Sequence, residues 1–182
     1  MRWIKYLLSI TVLLAFACDI GEVPDPGLTN PLDSETASEI GLETPALVFF
    51  PDSVTIDLGL SVPTKIYAME VENLGIAHVQ LIYNSDLLSV TSIAAGDFFQ
   101  GIQEPIFIEE NDADNGTIDI YTSFLGTEAN SVSGTGSLAI ITFSTKAAGK
   151  TILEYSTDSI FLDPDSNPID IKGFGTGVVE AN

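Results

Sequence analysis

The stretch LIYNSDLLSVTSIAAGDFF, residues 81–99, decides how the sequence is read. It joins the end of one alternating run to a second run rich in Leu, Val and Ile, with Asn84-Ser85-Asp86 between them. Asn, Ser and Asp favour turns because their short polar side chains hydrogen-bond to the nearby backbone. The run that leads into it, AHVQLIY, sets Ala77, Val79, Leu81 and Tyr83 on one face and His78, Gln80 and Ile82 on the other. Period two places one face in a core and the other toward water. NGTIDIYTSF repeats the pattern, with Ile118, Ile120, Thr122 and Phe124 opposite Thr117, Asp119, Tyr121 and Ser123.

The same texture holds from Ala46 to the last residue. Short runs of Val, Ile, Thr, Phe and Tyr are broken by Gly, Pro, Asn and Asp. Strands are expected near 46–50, 53–57, 64–72, 76–83, 87–94, 105–109, 117–124, 137–146, 150–155, 158–162 and 175–180. No segment keeps a helical apolar stripe over three turns. The expected fold class is therefore all-β, two sheets packed as a sandwich around one core.

Four segments carry a family likeness. LIYNSDLLSVTSIAAGDFF resembles the segment of cohesin domains in which a strand ends in Tyr-Asp-Pro, a Leu-Val strand follows, and Gly-Asp-Phe closes it. SGTGSLAIITFSTKAAGKTIL, 133–153, resembles their Gly-small-Leu-Ala-x-Ile-x-Phe strand and turn. FLDPDSNPIDIKGFGTGVV, 161–179, resembles their closing strands, where an x-Asp-x-x-Gly-Asn-x-Ile loop precedes a Gly-x-Val end. VTIDLGLSVPTKIYAMEVENLGIA, 54–77, fits their opening strands, so the likeness spans 46–180. The resemblance implies a jelly-roll β-sandwich of about nine strands with no catalytic machinery. It implies a partner of the dockerin type, a calcium-loaded helical module borne by secreted polysaccharide-degrading enzymes. The same superfamily holds carbohydrate-binding modules. Two departures stand out: Tyr83-Asn84-Ser85-Asp86 replaces Tyr-Asp-Pro, and Ile76 and His78 occupy the positions where cohesins present an Asn and an Asp to the dockerin.

The N-terminus reads as an address. Arg2 and Lys5 precede LLSITVLLAFA, 7–17, an apolar run of about 16 Å as a helix, too short to span about 30 Å of hydrocarbon. Small residues then precede Cys18, the only cysteine. A signal peptide over 1–17 is expected. AFAC resembles a bacterial lipobox, which implies lipidation of Cys18, export, and anchoring to the cell envelope, facing the periplasm or the surface. Residues 18–45 carry many acids and prolines and no basic residue, and read as a disordered acidic tether. The cohesin-like domain is expected over 46–182.

Charge excludes one class of partner. After residue 17, four lysines stand against 26 acids, a formal charge of about −22. Nucleic-acid binding needs the opposite sign, and anionic lipid surfaces are disfavoured for the same reason, so a membrane is expected to be reached through the lipid anchor only.

Gly149-Lys150-Thr151 ends like a phosphate-binding loop, but Ser144 stands where that loop needs its first Gly, and a strand pattern follows where it needs a helix. Lys146-Ala147-Ala148-Gly149 is instead expected to turn a hairpin after the SLAIITF strand. Glu110, Asp112 and Asp114 are calcium candidates, since alternate carboxylates can wrap a cation, yet the EF-hand frame fails at Asn115 and Tyr121. Asp163, Asp165 and Asn167 form a second such loop, with Pro168 where the sharp-turn Gly belongs. No cofactor is expected of the domain itself, and calcium fits the partner better. Asn115-Gly116 before an alternating run reads as a hairpin turn. His78, the only histidine, lacks the partners of a metal or triad site and fits a surface.

The interface candidate is the polar face with Ile76, His78, Gln80, Asp119, Tyr121 and Ser123. Leu138 and Ile140 join it if Ala139, Ile141 and Phe143 point inward. The expected function is a non-catalytic binding or scaffolding module, anchored outside the cytoplasm, that docks a dockerin-type or other secreted protein. A carbohydrate-binding module is the alternative, weakened because the only Trp, Trp3, lies in the signal. A structural envelope lipoprotein is the second alternative.

Overall fold

The computed structural model describes residues 34–100, 105–124 and 130–182. The expected signal peptide, Cys18 and most of the acidic segment lie outside the described residues. The elements in order are α1 (Ser34–Glu39), β1 (Ala46–Phe50), β2 (Ser53–Ile56), β3 (Ser61–Leu74), β4 (Ile76–Ile82), β5 (Leu88–Ala95), β6 (Pro105–Asp112), β7 (Thr117–Phe124), β8 (Val132–Thr145), β9 (Gly149–Tyr155), β10 (Ile160–Leu162), β11 (Pro168–Ile169), β12 (Gly173–Phe174) and β13 (Gly177–Ala181). The all-β sandwich is as expected. The strand number exceeds the expected nine because the closing segment, 160–181, breaks into four short pieces shared between the sheets.

One sheet runs β12-β1-β3-β8-β5. The other runs β11-β10-β4-β9-β13-β2, with β7 on the far side of β4 and β6 outside β7. The inward side chains follow the alternation. Ala77, Val79, Leu81, Ile118, Ile120, Leu153, Phe161 and Val179 come from the second sheet. Leu47, Phe49, Ile66, Ala139, Ile141 and Phe143 meet them from the first. Phe49 stacks on Tyr155 at 4.3 Å between ring centroids, tying the two layers together. Each fully buried side chain of this size contributes about 1.5–3 kcal/mol.

The quoted stretch locks the first sheet. The Gly96 amide donates to the Leu138 carbonyl at 2.9 Å, the Phe98 amide to the Ser137 carbonyl at 2.9 Å, and the Ser137 amide to Asp97 Oδ1 at 3.3 Å. A Cβ on Gly96 would stand 2.0 Å from the Ser137 carbonyl oxygen, and one on Gly136 would stand 2.0 Å from the Phe98 ring. The Gly-Asp-Phe and Gly-Ser-Leu-Ala segments are thus two halves of one contact. The chain bulges there: Ile66 pairs with Ala139 but Tyr67 pairs with Ser137, leaving Leu138 between them. A bulge adds a residue without a ladder partner and breaks the alternation.

Two expectations are corrected. The acidic segment is not structureless up to residue 45. Its last part forms α1 and a turn, with Ala37 1% exposed and Leu42 packed against Ala46, Val48 and Met69. This strap covers the outer face of β1, which is therefore buried on both sides. The apolar Ala37, Ile40 and Leu42 gave no periodic signal because the helix has only six residues. Second, β8 and β9 do not form a hairpin. β8 pairs with β3 and β5, while β9 pairs with β13 and β4, so Lys146–Ala148 carry the chain from one sheet to the other.

The clamp is testable by a single methyl group. Gly96→Ala should lower stability by about 2 kcal/mol or more, because backbone rather than a flexible side chain must yield. Urea denaturation followed by circular dichroism reads it. An unchanged midpoint would show that the contact is not under constraint.

Candidate docking face

The site is the outward face of β10, β4, β7 and β6, and the core dictates it. Ala77, Val79 and Leu81 are buried inward, so Ile76, His78, Gln80 and Ile82 point outward. Antiparallel pairing then sets residues in rows across the strands. Leu162, Ile76, Ser123 and Ile106 form one row; Ile160, His78, Tyr121 and Ile108 form the next. Gln80, Asp119 and Glu110 form the third, and Glu154, Ile82, Thr117 and Asp112 the fourth. Rows lie about 7 Å apart along the strands, and four strands span about 14 Å.

At its centre the face is held by polar contacts. His78 Nε2 donates to Asp119 Oδ1 at 2.7 Å, since an ionised carboxylate can only accept. Gln80 Nε2 donates to the same oxygen at 3.1 Å. The His78 ring stacks on Tyr121 at 4.4 Å with the planes 4° apart. The stack holds the Tyr121 ring against the imidazole while leaving it 43% exposed. Around it lie Ile76, Ile108 and Ile160, between 36% and 58% exposed. Of the nine large hydrophobic residues exposed among the described residues, six lie on the outer face of this sheet: Ile76, Ile82, Ile108, Tyr121, Ile152 and Ile160. None lies on a strand of the five-stranded sheet.

The six residues expected on β4 and β7 are therefore brought together. Leu138 and Ile140 are not, and their place in the candidate face is corrected. Their strand, β8, belongs to the opposite sheet. Ile140 faces outward there, between Lys65 and Ala94. Leu138 is 2% exposed because the bulge turns it into the core beside Ala139. Sequence reasoning missed Ile106, Ile108 and Ile160. PIFIEE does alternate over Ile106 and Ile108, but its charged end reads as the start of a metal loop.

The acidic loops are built as turns. Asp112 Oδ1 accepts from the Asp114 amide at 3.2 Å and the Asn115 amide at 3.1 Å, and Asp112 Oδ2 accepts from Asn115 Nδ2 at 2.7 Å. Asp163 Oδ1 accepts from the Asp165 amide at 2.9 Å and the Asn167 amide at 2.8 Å, and Oδ2 from Asn167 Nδ2 at 2.9 Å. Glu110 lies apart, on the sheet face beside Asp119. Among the described residues no group of three His, Cys, Asp or Glu side chains could hold a metal ion. Gly116 closes the β6–β7 hairpin with φ +67, and a Cβ there would stand 2.3 Å from the Tyr83 carbonyl oxygen. Ser166 has φ +65 in the second loop, at the position where the cohesin motif carries Gly.

A cavity of about 270 Å³ lies on the far side, between the strap and β12, lined by Leu42, Phe49, Asp52 and Phe174 among others. Desolvation raises the Asp52 carboxyl above its ordinary value. Its place on the far side of the sandwich separates it from the rows.

No family model matches the sequence, and a search of curated proteins finds no match. Solved structures do match. A non-cellulosomal cohesin from the archaeon Archaeoglobus fulgidus superposes with a TM-score of 0.63 at 17% identity, over 75% of this chain and 90% of that one. The fold is the cohesin fold. The sixth cohesin of Acetivibrio cellulolyticus scaffoldin B, solved with a dockerin, gives 0.61 at 22% identity over 75% and 98%. A type I cohesin–dockerin complex from Clostridium thermocellum gives 0.62 at 17% identity over 75% and 98%.

Hydrogen bonds from Asn115 and Asn167 lower the Asp112 and Asp163 carboxyls below the ordinary 3.8. A depressed value means that these turn contacts stabilise fully above the unfolded value and are lost only as pH falls through the folded one. NMR titration should find both carboxyls below 3.8, and Asn167→Ala should move Asp163 back up alone. An unshifted Asp163 in the parent chain would refute the turn assignment.

Proposed function

We propose that this protein is a non-catalytic, surface-tethered docking module that holds a dockerin-type protein through the outer face of β10, β4, β7 and β6. The observation that carries this reading is the concentration of exposed aliphatic and aromatic side chains on one sheet of an otherwise strongly acidic protein. An apolar patch ringed by polar groups marks a protein contact. Cohesins with this fold, from Acetivibrio cellulolyticus and Clostridium thermocellum, were solved in complex with dockerins. Tyr121, fixed by its stack on His78, is the central anchor, and Ile76, Ile108 and Ile160 surround it. Such buried aromatic centres dominate binding energy.

The module works outside the cytoplasm. Cys18 follows a short apolar signal and carries lipid, and multiple acyl chains make a stable anchor. Calcium enters with the partner. Retention of polysaccharide-degrading enzymes at the envelope follows as the biological role.

Two experiments test the two halves. A panel of calcium-loaded dockerin modules should contain at least one that the full chain retains on a column. Ile108→Asp or Tyr121→Ala should abolish that retention, while Lys65→Ala on the opposite sheet should not. Retention that survives Ile108→Asp would remove this face from the reading. Separately, Cys18→Ser should move the expressed protein from the membrane fraction to the soluble fraction, and unchanged fractionation would remove the lipid anchor.

A further inference from the structure

The face is polarised along its strands. Its first two rows are mainly aliphatic and aromatic: Leu162, Ile76 and Ile106 with Ser123 between them, then Ile160, Tyr121 and Ile108 with His78 stacked on the tyrosine. The third row carries Asp119 and Glu110 as neighbours on β7 and β6. The fourth ends in Asp112 and Glu154. The chain's lysines in the described residues lie elsewhere: Lys65 on the opposite sheet, Lys146 at the sheet-to-sheet turn, Lys172 beside β12, and Lys150 out on β9 facing Glu180. No Lys or Arg stands in these rows, and the His78 ring is already bonded to Asp119.

This arrangement specifies the partner's contact element. The apolar rows cross four strands and are about 14 Å long, the length of roughly ten helical residues. A helix laid along the Ile108–Ile160 row buries an aliphatic stripe, and its flank then lies over the third row, about 7 Å away. Docking there desolvates Asp119 and Glu110. His78 and Gln80 are neighbours of Asp119 alone; a carboxylate covered without a cation is costly, and a partner carboxylate opposite it is costlier. We propose that the face selects a partner helix with an aliphatic stripe flanked on one side by Lys or Arg, the cations meeting Asp119 and Glu110. The inference rests on the docking reading and adds the charge and shape of what docks.

Three designed helical-bundle modules provide the probe. Each displays one surface helix with the same Leu/Ile stripe, and the flanking positions are Lys/Arg, Gln or Glu. Titration against the full chain should show binding for the Lys/Arg module alone, weakening as salt is raised. The double variant Asp119→Asn with Glu110→Gln should lose at least tenfold in affinity and most of the salt dependence. Equal affinity for the Gln or Glu module, or an undiminished salt slope in the double variant, would overturn the proposal. Binding by none of the modules would also overturn it, while the dockerin panel judges the docking reading on its own. If Ile108→Asp abolishes binding but the double variant does not, the docking face stands and the charge selection falls.

Discussion

The packing of two alternating sheets on a shared core is the constraint from which the rest follows. Once Val79, Leu81, Ile118 and Ile120 are committed inward, the pleat leaves His78, Gln80, Asp119 and Tyr121 no other direction than outward. A slip of one residue would exchange the two sets and bury a His–Asp pair in place of four aliphatic side chains. The register that builds the core is the same register that sets the rows of the docking face. Fold and candidate function are two readings of one pairing.

How far the sequence exposed this differs by element. β4 and β7 were legible because each is half-buried and its side chains alternate cleanly. Period two gives the outward direction of their polar residues, and the cohesin resemblance adds Ile76 at the edge of the run. β8 was harder, since SLAIITF is apolar throughout and its faces depend on a bulge that alternation cannot reveal. Leu138 turned inward for that reason. Ile140 sits where the alternation puts it, but on the other sheet, and sheet membership is a long-range property that no local pattern carries. The connection at Lys146–Ala148 failed for the same cause: a hairpin and a crossover begin with the same turn residues. α1 was invisible because six residues are too few for a helical period to show against an acidic background.

The two acidic loops show how similar compositions serve different ends. Alternate carboxylates resemble a cation shell, but here the backbone amides of the turn reach Asp112 and Asp163 first. A side chain that satisfies its own turn shapes the hairpin and holds its charge low in pKa. On the sheet face, by contrast, Asp119 and Glu110 are held by rigid strands rather than by a loop. That rigidity sets their spacing, and spacing is what lets charge discriminate between partners.

The strap over β1 has a mechanical consequence. The chain joins the sandwich on the outer face of the five-stranded sheet, whereas the docking rows lie on the outer face of the other. A pull between residue 34 and the outer face of the other sheet would therefore run through the thickness of the domain. It meets the Ala37 and Leu42 contacts first, and then β1, which is bonded along its whole length to β3. A strand drawn along its own axis loads all of its ladder bonds in shear at once instead of parting them one after another. The side on which residues 34–45 join the sandwich is thus also the side where a pull along the chain is met in shear.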